Sequence, residues 1–218
     1  MSNHYQILDQ WCAQSPVIPV ITLYKTEHAV PLANALAKGG LSILEVTLRT
    51  DCALESIKLM REACPQLLIG AGSVLDTRTL WAAQEVGSQF IVSPGAGPQL
   101  LQALAQCQIP VLPGIASISE MLTGYELGLR RFKFFPANIN GGVAALKAFS
   151  GPIKDVKFCP TGGVNLDNMN DYLALDNVFA VGGTWIVPTD LIEQENWQAI
   201  TDLAKECLIK SQQVQRSL

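Results

Sequence analysis

Arg131-Phe132-Lys133-Phe134-Phe135-Pro136 is an apolar, aromatic-rich run closed by proline, and it reads as a buried β-strand. Similar short runs recur along the chain about every 20–25 residues, with longer amphipathic stretches between them. The predicted strands are Val17–Leu23, Ser42–Leu48, Leu67–Gly70, Gln89–Ser93, Ile109–Pro113, Arg131–Phe135, Val156–Cys159 and Val178–Val181. The predicted helices are Glu27–Lys38, Cys52–Ala63, Thr77–Val86, Gln99–Gln106, Ser119–Leu127, Gly142–Phe149, Asn168–Tyr172 and Trp197–Ser211. Strand and helix alternate throughout, which is the pattern of repeated βα units around a parallel sheet.

Eight such units close most economically into an α/β (β/α)8 TIM barrel. A further amphipathic segment, Tyr5–Ala13, precedes the first strand and suits a cap on the barrel's lower end. No linker, low-complexity tract or charge block interrupts the series, so residues 1–218 read as a single domain, with an N-terminal helix over 1–15 and the barrel over 16–218. The competing architecture is an open doubly wound sheet, which places a Gly-rich phosphate loop after its first strand. That position holds Tyr24-Lys25-Thr26, and the glycine pairs come after the seventh and eighth strands.

A 49% apolar content can fill one large core, and a net charge of −4 without a basic stripe argues against nucleic acid as a partner. No apolar run approaches the length of a membrane span, and the amino-terminal residues lack a cationic signal start, so the expectation is a cytoplasmic protein without membrane association. The six cysteines are dispersed without a C-x-x-C pair and only two histidines accompany them, so free thiols are expected and no metal or other cofactor is indicated.

Strand ends then carry the chemistry. In Ile43-Leu44-Glu45-Val46-Thr47-Leu48-Arg49, alternation sets Ile43, Glu45, Thr47 and Arg49 on one face, opposite Leu44, Val46 and Leu48. The same parity groups Arg131, Lys133 and Phe135, so a carboxylate, a guanidinium and an amine can converge at the barrel mouth. An amine is a nucleophile only when neutral, and apolar neighbours penalise the ammonium, which makes Lys133 a candidate Schiff-base lysine. The plainer alternatives are a lysine that snorkels to water and an inert Glu45–Lys133 ion pair. Pro160-Thr161-Gly162-Gly163-Val164 and Val181-Gly182-Gly183-Thr184-Trp185 follow adjacent strands and resemble anion cradles, although ordinary tight turns would look the same. Gly70-Ala71-Gly72-Ser73 offers space and a hydroxyl. Ser93-Pro94-Gly95 and Pro113-Gly114-Ile115 read as walls or simple turns.

Taken together, Leu44–Arg49, Gly70–Val74, Ser93–Gly95, Pro113-Gly114, Phe132–Pro136, Gly141-Gly142, Cys159–Gly163 and Gly182–Trp185 resemble the 2-keto-3-deoxy-6-phosphogluconate (KDPG) and 4-hydroxy-2-oxoglutarate (KHG) aldolase family. The resemblance covers nearly the whole chain. It implies a homotrimeric class I aldolase that cleaves a phosphorylated 2-keto-4-hydroxy acid to pyruvate and an aldehyde. Lys133 would form the imine and Glu45 would move protons. Arg49 and Ser73 would hold the pyruvate carboxylate, near Pro94 and Phe135. Thr161, Gly162, Gly163, Gly182, Gly183 and Thr184 would bind the distal phosphate.

Three departures stand out: Ser73 and Thr184 exchange one hydroxyl residue for another, and Ala137-Asn138-Ile139-Asn140-Gly141-Gly142 lacks the carboxylate that the family usually carries. A sugar-phosphate isomerase or epimerase with Glu45 as base is the rival within the same fold, and a catalytically silent phosphometabolite-binding protein is the rival outside catalysis. The galactonate epimer of the substrate and the unphosphorylated hydroxyoxoglutarate remain alternatives for the aldolase itself.

Overall fold

The computed structural model describes residues 2–214. Among these, nine short strands are present: β1 (Val17–Ile21), β2 (Ile43–Thr47), β3 (Leu68–Gly72), β4 (Ile91–Val92), β5 (Val111–Leu112), β6 (Gly114–Ile115), β7 (Arg131–Phe134), β8 (Lys157–Pro160) and β9 (Val181–Gly183). They form a curled, all-parallel sheet of six strands in the order β5-β4-β3-β2-β1-β9 and a second parallel sheet β6-β7-β8. The α-helices that accompany them are α1 (Ser2–Gln14), α2 (Ala29–Lys38), α3 (Ala53–Ala63), α4 (Thr77–Glu85), α5 (Pro98–Ala105), α6 (Ile118–Glu126), α7 (Gly142–Phe149), α8 (Met169–Leu173), α9 (Thr189–Glu193) and α10 (Trp197–Ser211).

Two expectations shift. The fifth predicted strand divides at Pro113, which has no N–H to give to a ladder. Residues before it pair with β4, and those after it pair with β7. The Pro113 carbonyl still accepts from the Lys133 N–H at 3.0 Å. The last predicted strand, Val178–Val181, moves toward the carboxyl side: Val178 makes only a bridge to Phe158, and the continuous ladder with β1 begins at Val181. Helix α9 has no counterpart in the predicted series.

Period-two alternation sorts the strands between two layers. Val17, Leu44, Val46, Ile91, Phe132, Phe134 and Phe158 join the helix-facing core. Their neighbours Ile18, Ile43, Phe90, Val92 and Cys159 form a separate cluster on the concave side, together with Leu8 and Cys12 of α1. The first helix therefore plugs the end of the sheet where the strands begin. Full burial of Leu8 alone contributes about 2 kcal/mol to this docking. Arg131 at the start of β7 adds a two-pronged bond to Asp9, and the Tyr5 hydroxyl donates to the Gly128 carbonyl. Caps set the helix starts locally: Asp76 closes a capping box on α4, and Ser117 accepts from the Glu120 N–H at α6.

Candidate functional site

The two layers leave Lys133 and Glu45 on the concave side, toward the carboxyl ends of β7 and β2. Lys133 Nζ donates to Glu45 Oε1 at 3.1 Å, and the two side chains are only 5% and 4% exposed. Lys133 is flanked in register by Gly114 and Cys159, two small residues that leave its long side chain room to cross the sheet. The Phe135 ring lies 5.4 Å from Nζ. Among the described residues Glu45 is the only hydrogen-bond partner of the ammonium, so two of its three donors are uncommitted.

Glu45 is held by absence as much as by contact. A Cβ on Gly72 would overlap Glu45 Oε1 and lie 2.6 Å from its Cγ, and one on Gly70 would lie 2.5 Å from the Phe90 ring. The small residues of β3 therefore leave space for neighbouring side chains of the protein itself. Two residues on from Glu45, Thr47 is fully buried and donates to the Ile21 carbonyl at 2.9 Å, with the Thr22 hydroxyl at 2.8 Å. Arg49 reaches the surface, and its Nε donates to Ser73 Oγ at 2.9 Å. Ser73 has φ +56°, in the left-handed region, a conformation that costs an ordinary residue about 1–2 kcal/mol and aims its hydroxyl at the guanidinium. The expected convergence thus resolves into two pairs, Lys133 with Glu45 and Arg49 with Ser73.

On the other side of Lys133, Thr161 is buried at the end of β8, and its hydroxyl occupies the place that a Gly182 side chain would need, 2.5 Å from an added Cβ. A bridge between Thr161 and Gly182 brings the two glycine loops side by side. Gly162 and Gly163 have φ +92° and +77°, which suits glycine alone. Among the described residues the N–H groups of Gly163 and Thr184 donate to no carbonyl of a turn or loop. Successive N–H groups in left-handed glycine turns are the kind of backbone that can receive an oxyanion. Pro94 and Phe135 line a neighbouring depression of about 330 Å³ with Gly114 and Ile115, and Lys133 and Glu45 do not line it.

Cys159 carries no signal in the sequence that sets it apart from the other cysteines, yet it stands beside Lys133. Burial pushes its thiol up to about 12; the Lys133 charge opposes this shift and the Glu45 charge adds to it. It is therefore a neutral thiol at physiological pH, and Lys133 has no competing sulfur nucleophile. All six cysteines are free, and among the described residues no group of three His, Cys, Asp or Glu side chains is placed to hold a metal ion.

Residues 8–203 match the family model for KDPG and KHG aldolases. The chain is 47% identical to the 2-dehydro-3-deoxy-phosphogluconate aldolase of Dickeya dadantii, over 95% of this chain and 98% of the relative. It is similar in structure to the KDPG aldolase of Legionella pneumophila with pyruvate captured as a covalent carbinolamine, with a TM-score of 0.88 and 47% identity over 90% and 96% of the two chains. The KDPG aldolase of Zymomonas mobilis with 3-phosphoglycerate gives a TM-score of 0.87 and 41% identity over 96% and 97%.

Proposed function

Because the chain belongs to the KDPG and KHG aldolase family, we propose that it is a class I aldolase that cleaves 2-dehydro-3-deoxy-6-phosphogluconate reversibly to pyruvate and glyceraldehyde 3-phosphate. The observation that carries this reading is the buried 3.1 Å contact between Lys133 Nζ and Glu45 Oε1 at the carboxyl ends of the strands. Glu45 takes a proton from the ammonium, and the freed amine attacks the C2 ketone to give a carbinolamine. Glu45 returns that proton to the carbinolamine hydroxyl, which departs as water and leaves a protonated imine beside the regenerated carboxylate. That cation is the electron sink: the C3–C4 bonding pair flows toward it as Glu45 takes the C4 hydroxyl proton, and the aldehyde departs. The resulting enamine is protonated at C3, and water releases pyruvate and the free lysine.

Arg49 and Ser73 hold the keto-acid carboxylate in this scheme. The guanidinium offers a two-pronged contact, and the bond between the two residues already sets its orientation. Pro94 and Phe135 shape the wall beside it. Thr161, Gly162, Gly163, Gly182, Gly183 and Thr184 receive the distal phosphate, a reading supported by the left-handed backbone at Gly162 and Gly163 and by the bridge that sets the two loops side by side. The complex of the Zymomonas mobilis relative with 3-phosphoglycerate fits a phosphorylated substrate. Cleavage of 4-hydroxy-2-oxoglutarate is a second activity of the same site.

We read the two sheets as one closed barrel of eight strands, β5 and β6 being a single strand bent at Pro113. The bridges Phe158–Val178 and Thr161–Gly182 support closure between β8 and β9. Residues 1–218 form one domain in this reading. Exposed Leu75, Trp81 and Leu122 suit a surface covered by further copies in a homotrimer. Six free thiols fit the cytoplasm.

The test is to incubate the protein with pyruvate and borohydride and locate the adduct by mass spectrometry, alongside turnover of the phosphorylated substrate in a lactate dehydrogenase-coupled assay. A reduced adduct on Lys133 with turnover is expected. Unmodified Lys133 overturns the imine reading in favour of an isomerase or epimerase, and absence of turnover favours a silent binding protein.

A further inference from the structure

Thr22 is the first residue past β1 and continues that strand's alternation. Val17, Ile21 and Leu23 join the helix-facing core and Ile18 the concave cluster, so Thr22 stands on the concave side, as do Glu45 and Thr47 of β2. It is only partly buried, and among the described residues its hydroxyl meets a single partner, the Thr47 hydroxyl at 2.8 Å. The direction of that bond follows from the next one. Thr47 has one proton, and the Ile21 carbonyl 2.9 Å away can only accept. Thr47 therefore donates to the carbonyl and Thr22 donates to Thr47, which leaves Thr22 Oγ1 with lone pairs and no proton to give. Its strand also lies between the two working parts of the site. On one side β1 pairs with β2, Val20 opposite Glu45, and on the other with β9, Pro19 opposite Gly183.

We infer that Thr22 is a specificity-determining residue that accepts a hydrogen bond from the C5 hydroxyl of the substrate. This rests on the aldolase reading given above, in which C4 lies at Glu45 and the distal phosphate at the glycine loops. The carbon between them crosses β1, and its hydroxyl is a donor that an acceptor-only Thr22 can receive. A carbonyl or phosphate oxygen cannot use this group, since each is itself an acceptor. Thr22 thus selects for the hydroxyl on C2 of the aldehyde partner, which becomes C5 of the joined chain.

The experiment follows aldol addition of pyruvate to D-glyceraldehyde 3-phosphate and to 3-oxopropyl phosphate, which carries the phosphate but lacks that hydroxyl. Thr22→Val, of nearly the same shape, should lower kcat/KM for D-glyceraldehyde 3-phosphate about tenfold, mostly through KM, while the value for 3-oxopropyl phosphate moves less than about twofold. Thr22→Ser, which keeps the oxygen, should stay within about threefold of wild type on both aldehydes. Equal losses on both aldehydes for Thr22→Val overturn the inference, because the threonine pair would then act by placing Glu45. No loss on either overturns it as well. If wild type itself adds pyruvate to neither aldehyde, the aldolase reading fails first and takes this inference with it.

Discussion

Arg131 and Lys133 stand two residues apart on one face of the same strand, and each meets a carboxylate, yet the two pairs are built for different ends. All three nitrogens of the Arg131 guanidinium are engaged, two with Asp9 and the third with the carbonyls of Arg130 and Asp155. Lys133 makes one bond, to Glu45, in deeper burial. With four of its five N–H donors committed, the Arg131 pair has little left to offer a ligand. An unsaturated one, sealed from water, keeps donors free for a reaction, and a lysine can lose its proton where an arginine cannot. The lower end of β7 thus fastens α1 to the sheet, and the upper end carries the chemistry.

The sharpest way to break this contrast is Lys133→Ala, which should lower kcat by about 10⁴-fold or more and abolish borohydride trapping with the fold kept, as circular dichroism would check. Turnover near wild type would end the imine mechanism. Glu45→Gln should cost about 10³-fold in kcat while pyruvate trapping on Lys133 persists at a reduced rate. If trapping and turnover fell together to nothing, Glu45 would be a structural partner of the lysine.

Gly72→Ala drives a methyl group into Glu45 and should reduce kcat about 10²-fold, since displacement of a proton-transferring group by about 1 Å carries that penalty. An unaffected kcat would mean that the carboxylate has another place to sit. At the lower end, Arg131→Met should leave kcat within about threefold and cost about 2 kcal/mol in urea unfolding, less than a fully buried pair because Asp9 is 31% exposed. A large loss of activity with little loss of stability would erase the distinction between the two pairs. Smallest of all, Cys159 should resist alkylation in the native protein at neutral pH, being buried with its thiol pushed up to about 12. Rapid native labelling, read by peptide mass, would contradict that environment.

The strand series and the parity of β2 and β7 were legible because a two-residue period leaves an apolar trace in the sequence: Leu44 and Val46 against Glu45, Phe132 and Phe134 against Lys133. That parity was enough to put the amine and the carboxylate on the same side. It could not give the distance between them, which depends on sheet curl and on Gly72, a residue whose contribution is a side chain it does not have. The parity also grouped Arg49 with Lys133, whereas the structure turns Arg49 to the surface and onto Ser73, beyond the last ladder residue where alternation no longer governs direction. The division at Pro113 follows from the missing N–H, but which neighbour each half pairs with is a matter of tertiary register.

The plug formed by α1 has a practical side. Because Leu8, Cys12 and Asp9 fix that helix beneath the sheet, anything joined ahead of it hangs from the floor of the molecule, opposite Lys133. A bead or fusion partner attached at the amino end would leave substrate traffic unobstructed.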